Sequence, residues 1–254
     1  MTSKMKKLKD FKDSFKPKIT WIYIMLFDLL FFAVAILTLK GVGSFLEKKM
    51  AVINMPEGDL LSMTQEQLQP ITAQLQDLVI SIGISVILVF IVMIAIWSLS
   101  KGLIYCTILK KKFTKQYFKK FFLLNLFLSI VIIIILTFLM TVGSVLKELV
   151  AFRHIFYIFL LAVAYYLSIN YIFFTKHNKV FESIGKTLTF GTKNILKLLI
   201  PCLLIYIPFQ IIFTTLTLIP IPLFFAPFVS LIIFVIFMAW ARNYFVQEVN
   251  KIKS

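Results

Sequence analysis

Apolar and polar positions do not alternate along this chain; apolar residues come in long unbroken runs separated by short, lysine-rich stretches. A helix needs roughly 20 apolar residues to cross a bilayer. Runs of that size recur at 19–39, 78–99, 121–142, 155–174, 198–219 and 223–240. Hydrocarbon offers no partner to backbone N–H and C=O groups, so a crossing segment must be a helix or part of a closed barrel, and a barrel requires alternation. The predicted fold class is therefore all-α: a polytopic membrane bundle of six transmembrane helices in three hairpins, one integral membrane domain over 1–254.

The polar stretches give this bundle an orientation. They are a basic N-terminal segment 1–18, an outer loop 40–77, inner basic segments 100–120 and 175–197, and a tail 241–254. Of the 27 Lys and Arg, 22 fall in the segments on the side of the N-terminus and 5 on the other. By the positive-inside rule, both termini are expected in the cytoplasm and the protein in the cytoplasmic membrane. Trp21, Trp97 and Trp240 end their runs on the same side, at the expected level of the head groups. The lysine-rich start and Ala33-Val-Ala35 imitate a signal peptide, but the run is too long, contains Asp28 and stays apolar beyond that point, so a retained helix is expected.

Local signals fill in the connections. Pro56-Glu-Gly-Asp59 predicts a turn, and Thr64 with Gln67 a capped helix start that Pro70 could kink. Pro220-Ile-Pro222 predicts a tight turn between antiparallel neighbours. In the inner segments, Val180, Phe181, Ile184 and Leu188 share one helical face away from Lys179, Glu182 and Lys186; Ile104, Tyr105, Ile108 and Leu109 gather similarly against Lys110, Lys111 and Lys112. Both are expected as amphipathic leader helices in the inner interface. Thr114-Lys-Gln-Tyr-Phe-Lys119 and Thr192-Lys-Asn-Ile-Leu-Lys197 share three of six residues and suggest an internal duplication.

Composition agrees with the membrane reading: 60% of residues are hydrophobic and 15% charged, against about a quarter charged in soluble domains. The net charge of +16 raises the question of nucleic acid, but orientation already accounts for the lysines, and Arg153 and Arg242 are the only arginines, so no nucleic-acid partner is expected. Each lysine near an anionic leaflet contributes about 1 kcal/mol of attraction. Candidate head-group contacts are Lys110, Lys111, Lys112, Lys115, Lys119, Lys179, Lys186 and Lys193, with anionic inner-leaflet lipids as the expected partners. The plainer role for the same lysines is orientation alone. A homo-oligomer or a membrane-protein partner stays open.

Catalytic signals are weak. Two isolated cysteines, Cys106 and Cys202, make neither a disulfide framework nor a metal set. Ser183-Ile-Gly-Lys186 spells S-x-x-K without its companion motifs, and Gly41-Val-Gly43 lacks the context of a phosphate loop. His154 and His177 are expected at opposite surfaces. No catalytic residue, cofactor or metal is expected. Asp28, in Met25-Leu-Phe-Asp-Leu-Leu-Phe-Phe32, is the only carboxylate inside a predicted run, which excludes an aspartyl dyad.

A carboxyl group there costs about 2.5–3.5 kcal/mol of insertion free energy, which the first run can absorb. Ser129, Tyr165, Tyr166, Gln210 and Ser230 come to similar depth, so a midplane polar site is predicted around Asp28. With no Lys or Arg inside any predicted run, Asp28 is expected as a neutral acid donating a hydrogen bond, either joining helices or handling a proton or substrate. Ser81 and Ser85 beside Gly83 predict a close helix-packing face.

Residues 179–200 read KVFESIGKTLTFGTKNILKLLI: an amphipathic leader with Ser183, a Gly191-to-Asn194 break, then an apolar run. This stretch resembles that of a group of six-helix membrane domains, which includes the membrane domain of some glycerophosphodiester phosphodiesterases and the YciC-like inner-membrane proteins. The resemblance covers about 175–215 and the six-helix layout. It implies a membrane-embedded, lipid-associated role and no catalytic residues, because the phosphodiesterase chemistry belongs to a separate soluble domain. The expected function is a lipid-interacting structural, scaffolding or sensing protein of the cytoplasmic membrane. The alternative is a small proton-linked transporter of a solute or lipid, built around Asp28.

Overall fold

The computed structural model describes residues 11, 14–15, 19–51, 65–145, 150–218 and 225–253. The turns expected at Pro56–Asp59 and at Pro220–Pro222 lie outside the described residues, as do Thr64 and most of segment 1–18. Among the described residues, seven helices follow in order: α1 (Ile19–Ala51), α2 (Gln65–Ile108), α3 (Lys115–Val145), α4 (Val150–His177), α5 (Val180–Lys193), α6 (Ile195–Leu218) and α7 (Ala226–Lys253). All except α5 are long and apolar enough to cross a membrane, and the described residues contain no strand. The protein is a polytopic helical membrane protein.

The helices overrun the sequence limits. At about 1.5 Å per residue, α1 is roughly 50 Å long and α2 roughly 66 Å, well beyond the ~30 Å of hydrocarbon. Most of the stretch 40–77, expected as a loop, is therefore helix, and α2 passes through Pro70 without interruption. Residues 100–108, expected as a separate interfacial leader, are the last turns of α2: Ile104, Tyr105 and Cys106 are buried. The apolar cluster that suggested a surface helix is a continuation of core packing.

The chain forms two compact units. One is Leu30–Trp97, the facing parts of α1 and α2; the other joins Met1–Leu29 to Ser98–Ser254. In the first, α1 and α2 run antiparallel from the Phe31–Trp97 edge-to-face contact at 5.3 Å to the Lys49–Asp77 ion pair at 2.6 Å. Of Ser81, Gly83 and Ser85, only Ser85 is buried, and Gly83 has open space around it, so the packing face expected there does not form.

In the second unit, the core is built on Phe121 and Leu124 of α3, Ile169, Ile172 and Phe174 of α4, and Val249 of α7, with Ile24 and Ile104 completing it. Two glycines permit the closest approaches. A Cβ on Gly102 would stand 2.9 Å from the Phe113 ring, and one on Gly191 would stand 2.7 Å from the Tyr166 ring. Trp240, expected at the head-group level, is instead almost fully buried: Phe15 stacks on it at 4.5 Å, and its Nε1 donates to Ser14 Oγ at 3.0 Å.

Helix ends use distinct devices. Lys110 has φ 53°, and bonds from Lys111 N to Cys106 O and from Lys110 N to Thr107 O close α2 in a Schellman motif. Asn178, at φ 55°, closes α4 through a single bond to Phe174 O. Thr114 caps α3 by accepting from Tyr117 N at 3.1 Å, whereas Thr192 lies inside α5. The two similar six-residue stretches thus occupy different settings.

Candidate functional site

The polar chemistry of the second unit is concentrated where α1 begins and α2 ends. Asp28 is 2% exposed, and both carboxylate oxygens are taken. Lys101 Nζ donates to Oδ1 at 2.7 Å, and Arg242 donates to Oδ2. Both cations are themselves largely buried, with 6% and 12% of their side chains exposed. Asp28 therefore does have ionic partners, and it accepts hydrogen bonds as a carboxylate. The expected neutral, donating acid does not stand.

The reason is one of boundaries. Lys101 and Arg242 fall two residues beyond the run limits drawn at 99 and 240, and both helices continue past those limits. The ionic layer sits seven residues before the end of α2, about 10 Å along the axis, and not at mid-height. Ser100 Oγ donates to Phe27 O at 3.1 Å beside it, tying α2 to α1 a second time.

The other residues of the expected polar site go elsewhere. Tyr165 donates to Gly191 O at 2.9 Å and the Tyr166 ring covers Gly191, so this pair seats α5 on α4. Gln210 is exposed on α6, while Ser129 and Ser230 are half-buried and make no hydrogen bond to Asp28. In their place stands a hydrogen-bonded chain that the sequence reading missed. Asn125 Nδ2 donates to Ser98 Oγ at 3.0 Å, and Tyr171 OH donates to Asn125 Oδ1 at 2.7 Å. Thr175 gives its proton to Tyr171 O, so Tyr117 OH is the donor in its 2.9 Å contact with Thr175. The chain links α2, α3 and α4. Asn125, inside the third apolar run, was its one visible signal.

The candidate head-group lysines are all exposed: Lys110, Lys111 and Lys112 in the α2–α3 turn, Lys115 and Lys119 at the start of α3, Lys179 at the N-cap of α5, and Lys186 and Lys193 on α5. The α5 helix has three faces. Ser183, Thr187 and Gly191, four residues apart, are buried against the bundle. Phe181 and Leu188 are exposed at 76% and 54%, and Val180 and Ile184 pack on the core. The three lysines, seven residues apart, form the third face.

Glu182 pairs with Lys186 at 2.6 Å and with Lys179 at 2.9 Å, and these hydrogen bonds, Lys186 first, hold its carboxyl down at about 2. Ser183 is fully buried and donates to its own helix at Val180 O, while Lys186 faces Glu182, so this S-x-x-K carries no nucleophile. His154 and His177 stand at opposite ends of α4, about 35 Å apart. No protein-family model, curated protein or solved structure matches this chain.

Proposed function

We propose that this multi-pass protein resides in the cytoplasmic membrane with both termini inside, has no catalytic role, and binds anionic lipid head groups with the lysine-bearing end of its second unit. The observation that carries this reading is α5. It is docked on the bundle through a small, polar stripe, turns Phe181 and Leu188 outward, and aligns Lys179, Lys186 and Lys193 on a separate face. A helix with that division suits the boundary between acyl chains and head groups. Docking makes it a fixed part of the fold, as a scaffolding or sensing element requires. The transporter alternative draws less support, because Asp28 is clamped by two cations at the helix ends.

Purified protein in uncharged detergent tests the reading. Its unfolding temperature should rise on adding phosphatidylglycerol, rise less with phosphatidylcholine, and lose the difference in high salt. Equal effects of the two lipids at low salt would refute it.

A further inference from the structure

Beside α5 lies a cleft of about 660 Å³, bounded by α4, α5, the start of α6 and the end of α7. Its size is that of a small-ligand site. Lys186, Lys193 and Lys197 line it together with Phe190 and Ile252, and no carboxylate of the described residues is among its lining. Lys186 is shared with Glu182, but Lys193 and Lys197 have no hydrogen-bond or ion-pair partner among the described residues. The break at Asn194 also begins α6 here, where first-turn N–H groups lack helical acceptors. From this placement we infer that the cleft is a binding site for the phosphate of a membrane lipid, held between Lys193 and Lys197.

The same chemistry would suit a free phosphate, but the surroundings favour a lipid. Lys197 lies in the first turn of an apolar spanning helix, and Leu196, Leu199 and Ile200 around it are exposed. A phosphate seated on Lys197 can thus continue into acyl chains lying along α6. Phe190 and Ile252 give the glycerol backbone an apolar wall. This inference rests on the lipid-binding reading above and makes it specific, assigning a defined phosphate site to Lys193 and Lys197.

The test measures binding of dihexanoyl phosphatidylglycerol, dihexanoyl phosphatidylcholine and inorganic phosphate to the full chain in uncharged detergent. The expected result is preference for phosphatidylglycerol over both others. Changing Lys193→Gln and Lys197→Gln together should weaken its binding about 10- to 30-fold, the loss of two lysine contacts. Changing Lys40 and Lys48, exposed on α1 and outside the cleft, to Gln should leave it unchanged. Wild-type affinity in the Lys193/Lys197 variant would overturn the site while leaving the lipid-binding reading intact. No preference for phosphatidylglycerol over phosphatidylcholine in the unmodified chain would overturn both. Inorganic phosphate binding as tightly as the lipid would overturn the lipid assignment.

A readout independent of variant folding is acetylation of the unmodified chain. Phosphatidylglycerol should protect the Lys193 and Lys197 amines and leave those of Lys40 and Lys48 as reactive as before, and equal labelling of all four would overturn the site.

Discussion

Asp28 is the residue with most at stake. Two buried cations face its carboxylate, so removing the negative charge leaves both uncompensated, a loss of about 3–5 kcal/mol for buried pairs. Asp28→Asn, nearly isosteric, should therefore lower unfolding temperature sharply. Replacing all three by apolar residues, Asp28→Leu with Lys101→Met and Arg242→Met, should recover much of the loss; denaturation in detergent distinguishes this from simple helix adhesion, under which Asn would be nearly neutral. A second residue-scale expectation concerns Lys110. Its left-handed backbone strains any side chain with a Cβ, so Lys110→Gly should stabilise by about 1 kcal/mol and Lys110→Val should destabilise, as thermal unfolding would show. The sequence betrayed neither feature, because Lys101 and Arg242 read as topogenic charge, and no local pattern marks Lys110 as a helix end.

At the scale of elements, α5 is where pH should act. A carboxyl held below its ordinary value stabilises its surroundings above that value, and the contribution fades as pH falls from about 4.5 toward 2. Hydrogen exchange of the α5 amides should thus be flat above pH 5 and faster in acid than intrinsic rates explain. Glu182→Gln should abolish the difference. The six spanning helices were legible in the sequence because uninterrupted apolar runs admit one solution in hydrocarbon. Their ends were not. The turns of α2 after Leu99 carry Lys101 and lead into Lys110, Lys111 and Lys112, but they also bury Ile104 and Tyr105, and composition alone cannot distinguish a buried helix end from an interfacial one. The face of α5 was legible in part: the lysine face follows from spacing, whereas burial of Ser183, Thr187 and Gly191 depends on the Tyr165–Tyr166 platform that only the fold assembles.

For the whole molecule, the reading of six crossings makes a topological prediction. In a background lacking Cys106 and Cys202, cysteines placed at Lys49 and Gln74 should react with an impermeant reagent from outside, and those at Lys112 and Lys186 only after permeabilisation. Outside labelling at position 112 would invert or break the arrangement. The ion cluster also carries a message about synthesis. Asp28 meets Lys101 after 73 further residues and Arg242 after 214, so the first helix leaves the ribosome with a carboxyl group whose full set of partners is not yet made. The nascent chain must hold that group in a half-finished assembly until α7 arrives. A protein cut short just before Arg242 would keep all six apolar runs and still lack the contact that ties α7 to α1.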